Sequence, residues 1–247
     1  MAEYNTIRTT GVAGARAAQI DEGLRAHMSK VYGTMSIGML LTFAVAWAVG
    51  TSPDLLAVFR DPMTLQPNIL GWIIMFAPLI MVFTMSAMIN KLSAAGAQLF
   101  FYAFASVMGL SLAWIFVAFT GMSIAQIFLV TAIAFAGLSL YGYTTKKDIS
   151  GWGAFLIMGV IGLIVASIVN IFLGSPAIMF AISILGVLIF AGLTAYDTQN
   201  IKNTYLQHAA HGDSEWMAKS GIMGALSLYL NFINMFMFLL QLFGNRE

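Results

Sequence analysis

One acidic residue stands at the end of a long apolar run, and it is the first candidate for chemistry. Asp197 lies in the stretch GLTAYDTQNIK, residues 192–202, directly after about twenty uncharged residues. Ile201 and Tyr205 follow at helical spacing, so a helix that continues to about residue 205 would hold Asp197 roughly 6–12 Å inside its end. In a membrane such a carboxyl group is costly unless it faces protein or water, which makes it a functional candidate. The alternative is a boundary residue in water.

The remaining polar residues offer little for metal, cofactor or catalytic chemistry. All three histidines lie outside the apolar runs, and the chain has no cysteine. His208 and His211, with Asp213 and Glu215, have a spacing that can hold a metal ion, although an ordinary solvated loop explains them more simply. No nucleophile accompanies a base inside an apolar run. We therefore expect no enzymatic activity and no bound cofactor.

The composition places the chain in a membrane. Of its 247 residues, 60% are hydrophobic and 9% are charged, against roughly 25% charged residues in soluble domains. A water-soluble fold of this length could not bury so much apolar surface, so the lipid bilayer is the expected environment. The net charge of +1 gives no reason to expect nucleic acid as a partner.

Seven apolar stretches have the length of a membrane-spanning helix, about 20 residues. They cover residues 31–50, 70–90, 97–119, 122–143, 152–173, 177–196 (with an extension to about 205) and 220–243. The sequence thus predicts an all-α integral membrane protein, in which residues 31–247 form a seven-helix domain. Gly121 and residues 174–176 are predicted to form tight turns between neighbouring spans.

The basic residues predict the orientation. With the N-terminus in the cytoplasm, nine lysines and arginines lie on the inner side and two, Arg60 and Arg246, on the outer side. Residues 1–30 are then a cytoplasmic segment, and the C-terminus is periplasmic. Ile20, Leu24 and Met28 are spaced for one helical face, which predicts an interfacial helix before the first span. Simple extension of that span is the alternative.

Small residues recur every four positions on three spans. Apolar lipid gives helices no hydrophobic reason to associate, so close approach through small side chains is the usual source of packing. We expect packing faces at these three stripes, which comprise Gly38, Thr42, Ala46 and Gly50; Ala105, Gly109 and Ala113; and Gly162, Ala166 and Asn170.

Four segments resemble the Bax inhibitor-1 family, the transmembrane Bax-inhibitor-motif proteins. They are IDEGLRAHMSKVYG, YGYTTKKDISGWG, GLTAYDTQNIK and LSLYLNFINMFMFLLQLFG, and the resemblance covers nearly the whole chain. The chain is similar to a bacterial member, which implies the inner membrane. The resemblance also implies a seven-helix fold whose last helix is surrounded by the other six.

The resemblance implies calcium leak across the membrane, gated by pH through a pair of aspartates. Asp197 matches the first aspartate, but Asn231 stands where the second is expected, and Asn234 follows one turn later. The family pairs its first aspartate with an arginine of helix two. Span two has no arginine here, and Lys91 at its inner end is the nearest basic residue.

An Asp–Asn pair differs physically from two aspartates. Two adjacent carboxyl groups share a proton, whereas Asn231 can only donate a hydrogen bond to Asp197 or accept one. Calcium prefers several charged oxygen ligands, so Asp197 is a weak calcium site by itself. If span seven starts near Ser220, Asn231 lies about 17 Å deep. Contact with Asp197 then requires longer helices than the apolar runs indicate, with helix tilt as a way to close part of the gap.

Two functions follow from the resemblance and stay open at this point. The first is a pH-sensitive calcium or cation leak channel or transporter, with calcium as the transported species and Asp197, Asn231, Asn234 and Lys91 on its path. The second is a non-conducting regulator that binds a membrane protease of the FtsH type. A leak requires a polar path, whereas a regulator requires an exposed surface on residues 1–28 or on the cytoplasmic loops.

Overall fold

The protein is all-helical in the part of the chain that the structure describes. This computed structural model describes residues 3–64, 66–209 and 213–246, with side chains from residue 19 onward. The helices are α1 (Glu3–Gly50), α2 (Pro53–Ala57), α3 (Ile69–Met88), α4 (Ala94–Leu112), α5 (Ile115–Ala118), α6 (Gly121–Thr144), α7 (Trp152–Leu173), α8 (Pro176–His208) and α9 (Ser214–Phe243). Seven segments are long and apolar enough to cross a membrane, with α4 and α5 together forming one of them. The prediction of a seven-helix membrane fold is confirmed.

The first helix runs without interruption from Glu3 through the first span. Leu24, Met28 and Val31 are buried in the core of the protein. The apolar face that suggested an interfacial helix therefore packs against protein from residue 24 onward, as a simple extension of the span would do. An interfacial position for the preceding residues stays a prediction.

Helices α8 and α9 are longer than their apolar runs. Helix α8 continues past residue 196 to His208, and α9 begins at Ser214, six residues before the predicted start at Ser220. The Asp213 side chain accepts a hydrogen bond from the Trp216 amide and so caps the start of α9. Both extensions lie at the same end of the bundle, because the two helices are antiparallel neighbours.

The turn between α7 and α8 is formed as its residue types predict. Gly174 has a φ of +61° and ends α7 in the left-handed region, which glycine adopts without steric cost. The Ser175 hydroxyl caps α8 by accepting a hydrogen bond from the Ile178 amide, and Pro176 occupies the first position of that helix. Asn170 contributes locally, since its Oδ1 accepts a hydrogen bond from the Ser175 amide.

The third span contains a break that the sequence does not predict. Helix α4 ends at Leu112 and the short α5 starts at Ile115. The amide of Ala113 bonds to the Leu110 carbonyl, three residues back, so the chain tightens at this point. The last residue of α1, Gly50, approaches the Ala113 carbonyl so closely that a side chain would collide with it.

The last helix, α9, is the centre of the bundle. About 67% of its most apolar stretch is buried, against 11% for α3. Helix α9 packs directly against α1, α4, α6 and α8, whereas α3 packs mainly on α4, and α7 mainly on α8. Four spanning helices therefore contact α9 directly, and the other two, α3 and α7, lie further from it.

Two of the three small-residue stripes pack against each other. A Cβ atom on Gly109 of α4 would stand 2.6 Å from the Thr42 carbonyl of α1, and one on Gly38 would meet Phe101 and Ala105. These glycines allow α1 and α4 to approach at backbone distance. The third stripe does not serve as such a face throughout, because Gly162 is exposed and has no neighbour within 4 Å of the position of a Cβ.

Candidate functional site

Asp197 and Asn231 are in contact. The Asn231 Nδ2 group donates a hydrogen bond to Asp197 Oδ2 over 2.6 Å. Asn231 is only 4% exposed, whereas Asp197 keeps partial exposure. The depth difference expected from the apolar runs disappears because α8 and α9 both extend beyond those runs at the same end. The geometry thus brings together one carboxyl group and one amide on adjacent helices.

The other two predicted path residues do not join this pair. Asn234 Nδ2 donates to the Leu230 carbonyl of its own helix at 2.8 Å. Lys91 is exposed in the turn after α3, a helix that packs mainly on α4 and away from α8. Lys219 and Glu215, which form an ion pair at 3.5 Å on α9, do not involve Asp197. Among the described residues, no lysine or arginine replaces the arginine that the resemblance associates with Asp197.

Two residues beyond Asp197, a buried glutamine ties α8 to the loop between α6 and α7. Gln199 Oε1 accepts a hydrogen bond from the Ile149 amide at 2.9 Å, and its Nε2 donates to the Lys147 carbonyl at 2.8 Å. Gln199 is 6% exposed. Both polar ends of the amide are satisfied by loop backbone, so the loop is fixed to the helix that carries Asp197.

Lys202 strengthens the same junction. Its Nζ donates to the Tyr143 carbonyl at 2.7 Å and lies 5.3 Å from the centre of the Tyr143 ring. Tyr143 is in the last turn of α6, where carbonyl groups lack helical partners and a cation is favourable. The segments GLTAYDTQNIK and YGYTTKKDISGWG, which carry much of the resemblance, are therefore in contact through Gln199 and Lys202.

A second polar contact on α9 escapes prediction from the sequence. The Tyr229 hydroxyl lies 2.6 Å from Thr42 Oγ1 of α1, which also lies 2.8 Å from the Ala105 carbonyl of α4. Tyr229 is fully buried, with Phe101 and Phe104 edge-on to its ring. The small-residue stripe predicts that Thr42 lies on a packing face, but only the packing shows that its hydroxyl joins three helices.

The geometry gives no support for a metal centre among the described residues. No group of three or more histidine, aspartate or glutamate side chains lies close enough to hold a metal ion there. The His208 ring stacks on Trp216 with 4.2 Å between centroids, and its Nδ1 lies 3.0 Å from the Thr204 carbonyl. His211 lies outside the described residues. In the α6–α7 loop, hydrogen bonds from Ser150 lower the pKa of Asp148.

Comparison with known proteins agrees with this architecture. The family described as Inhibitor of apoptosis-promoting Bax1 matches residues 24–247. A Caulobacter vibrioides protein is 46% identical over 252 residues, which cover 100% of both chains. The inner membrane protein YbhL of Escherichia coli K12 is 47% identical over 225 residues, 91% of this chain and 94% of YbhL. A Rickettsia prowazekii protein is 38% identical over 248 residues and 100% of both chains. The chain belongs to the Bax inhibitor-1 family.

Proposed function

We propose that the protein is a pH-sensitive cation leak pathway of the bacterial inner membrane, with calcium as the transported ion and Asp197 as its charged element. The observation that carries the proposal is the contact between Asp197 on α8 and Asn231 on the central helix α9. An ionisable side chain within a spanning helix is costly and is typical of ion pathways. The partial exposure of Asp197 leaves it accessible to a passing ion.

The hydrogen-bond chemistry of the pair provides a pH response without a second carboxylate. The ionised carboxylate only accepts, so it suits the amide group that Asn231 presents. A protonated carboxyl oxygen becomes a donor and opposes another donor. The other carboxyl oxygen still accepts, but a neutral acceptor binds the amide more weakly than a carboxylate does. Protonation therefore loosens the contact between α8 and α9 unless the Asn231 amide turns its Oδ1 toward the new donor. One proton thus changes how the central helix is held.

Calcium flux into liposomes that contain the purified protein, measured at several pH values, tests the proposal. We expect flux to depend on pH in the natural protein and to lose that dependence in Asp197→Asn, which stays neutral at every pH. Asn200→Ala, an exposed neighbour on the same helix, is the control and should retain the natural profile. Equal profiles for the natural protein and well-folded Asp197→Asn would contradict the role of Asp197.

A second candidate function rests on the length of α1. The helix extends from Glu3 to Gly50 and has 48 residues, whereas a bilayer core needs about 20. The part of α1 that precedes the first span would then be where a membrane protease binds, and the protein would act as a regulator. Deletion of residues 2–18 should abolish an effect on the protease and leave ion flux intact. This deletion spares Leu24 and Met28, which are buried in the core.

A further inference from the structure

A long apolar groove opens between α1 and α6. Its volume is about 1430 Å³, and its floor is formed by Phe232, Ile233 and Phe236 of the central helix. Within the described residues, α1 and α6 have hardly any direct contact with each other. The lining extends along α1 from Arg25 to Thr51, which is about 39 Å of helix. The groove therefore runs the full height of a bilayer core of about 30 Å.

Asp197, Asn231 and Asn234 do not line this groove. Asn231 directly precedes two floor residues but turns toward α8, because successive residues of a helix point in directions about 100° apart. The groove is thus separate from the proposed ion pathway, and what occupies it is a question of its own.

The lining of the groove is basic at one end and apolar along the rest of its length. Among the described lining residues the one that carries a charge is Arg25 at one end, where Tyr32 and Tyr143 also lie. The rest is mainly apolar, with Leu40 and Trp47 of α1 more than half exposed. No aspartate or glutamate is among the lining residues. One end therefore attracts an anion, and the remainder suits a hydrocarbon chain.

Arg25 is available for a ligand at this end. It is exposed and forms no ion pair with any described carboxylate, although Asp21 and Glu22 lie one turn before it. Lys202, which binds the Tyr143 carbonyl, adds a second positive charge beside the same end. Basic residues near a membrane surface attract anionic lipid headgroups.

We propose that the groove binds an anionic phospholipid, with its phosphate at Arg25 and an acyl chain between α1 and α6 on the floor of α9. The three helices surround the chain on three sides, so it has more contacts than a lipid on a convex helix surface. The positive charge at one end selects for anionic headgroups and sets the direction of the lipid. This site is independent of the proposed ion conduction.

Native mass spectrometry of the purified full-length protein tests the selectivity. The protein is mixed with equal amounts of phosphatidylglycerol, which is anionic, and phosphatidylcholine, which is zwitterionic. We expect retained phosphatidylglycerol to exceed phosphatidylcholine about fivefold, which is the factor that one basic residue supplies near an anionic surface. Equal retention of the two lipids by the natural protein would overturn the proposal.

Substitutions of basic residues on α1 locate the headgroup. Arg25→Gln should remove most of the fivefold preference. Lys30→Gln is the matched control, because Lys30 is an exposed cation on the same helix that does not line the groove, and it should keep the preference. If both variants lose the preference equally, the selectivity belongs to the general surface charge and the proposal is wrong.

Filling the groove tests the position of the chain. Ala136→Phe on α6 places a ring inside the groove, whereas Ala134→Phe places one on an exposed part of the same helix outside it. We expect a severalfold loss of retained phosphatidylglycerol in the first variant only. If Ala136→Phe does not fold, as judged by gel filtration, the arginine and lysine variants decide. If a folded Ala136→Phe retains as much phosphatidylglycerol as the natural protein, the lipid binds elsewhere on the surface and the proposal is wrong. If the natural protein is a dimer that Ala136→Phe dissociates, the groove is occupied by a second copy of the chain and the proposal is also wrong.

Discussion

Two of the polar contacts that tie the central helix α9 to its neighbours differ in kind. Tyr229 meets Thr42 in a fully buried, uncharged contact, whereas Asn231 meets the partly exposed carboxyl group of Asp197. The two α9 residues are two positions apart and so point about 200° apart around the helix. One face of α9 is held by groups that stay neutral at physiological pH. The other is held by a group that can gain or lose a proton.

The difference indicates a division of labour between the two sides of α9. On the α1–α4 side, glycines bring the backbones together and the hydroxyl groups complete the contact, so the arrangement has one state. On the α8 side, the hydrogen bond between Asn231 and Asp197 depends on the protonation of Asp197, whereas the one from the Ser183 hydroxyl to Gln241 Oε1 does not. A bundle built in this way can change one helix contact without losing its packing.

The largest effect is expected from disrupting the close contact between α1 and α4 at Gly109. Gly109→Leu would place a Cβ 2.6 Å from the Thr42 carbonyl, and backbone cannot yield as a side chain can. We expect a loss of roughly 3 kcal/mol in the free energy of unfolding, measured by thermal unfolding in detergent. Gly162→Leu is the control, because that glycine is exposed with open space around it. Similar losses in both variants would show that the close approach of α1 and α4 is unimportant.

The next effect concerns the anchor of the α8 side. Gln199→Ala removes two hydrogen bonds to the backbone of the α6–α7 loop, and at about 1 kcal/mol each we expect a loss of roughly 2 kcal/mol. Hydrogen exchange should rise at Ile149, whose amide loses its acceptor. Asn200→Ala changes the adjacent exposed residue and should leave exchange unaltered. Unchanged protection of Ile149 in Gln199→Ala would argue against the anchor.

Converting the pair into two carboxylates should sharpen the contrast between the faces. Asn231→Asp places a second carboxyl group against Asp197, and one proton is then shared between them. The shared hydrogen bond holds at lower pH and is lost as pH rises and the remaining proton leaves. We expect a steeper response of liposome calcium flux to pH, with about a tenfold change, equivalent to about 1.4 kcal/mol. Superimposable flux curves for the two proteins would refute this.

The smallest effect is expected at the neutral contact. Tyr229→Phe removes one hydroxyl but leaves Thr42 with the carbonyl groups of Gly38 and Ala105. Because such contacts in membranes average about 0.6 kcal/mol, the loss in stability should be of that order and equal at pH 5 and pH 8. Tyr141→Phe, at an exposed position, should have no effect. A pH-dependent loss would mean that the two faces of α9 are not separate.

The spans could be predicted from the sequence, but the helix ends could not. Each of the seven apolar runs is expected to cross the membrane as a helix, because lipid offers no hydrogen-bond partners to the backbone. Ile201 and Tyr205 predict that α8 continues to about residue 205, but its last turn up to His208 and the first turns of α9 from Ser214 carry too little apolar character to be counted. Those turns are what bring Asp197 level with Asn231, so the pair itself was a hypothesis until the register was known.

The rest of the site depends on tertiary contacts that leave no pattern in the chain. The resemblance points to Asp197 and to Asn231, and it suggests Lys91, which lies elsewhere. Gln199 stands beside Asp197 in the sequence, yet its role requires knowledge of where the α6–α7 loop returns. The groove arises because α1 and α6 do not pack against each other, and no residue pattern in the sequence predicts that two helices stay apart.

The central position of the last helix has a consequence for how the protein is made. Thr42 and Tyr229 are 187 residues apart, and translation at about 5–20 residues per second separates their synthesis by roughly 10–40 s. By the end of that interval the first six spans have been synthesised without the helix that fills their centre. Thr42 can meanwhile bond to the Gly38 carbonyl of its own helix. The central helix is therefore the last one to be added to the bundle. A ribosome that stalls before α9 would leave six helices without their central packing partner, and we expect membrane proteases to degrade that product.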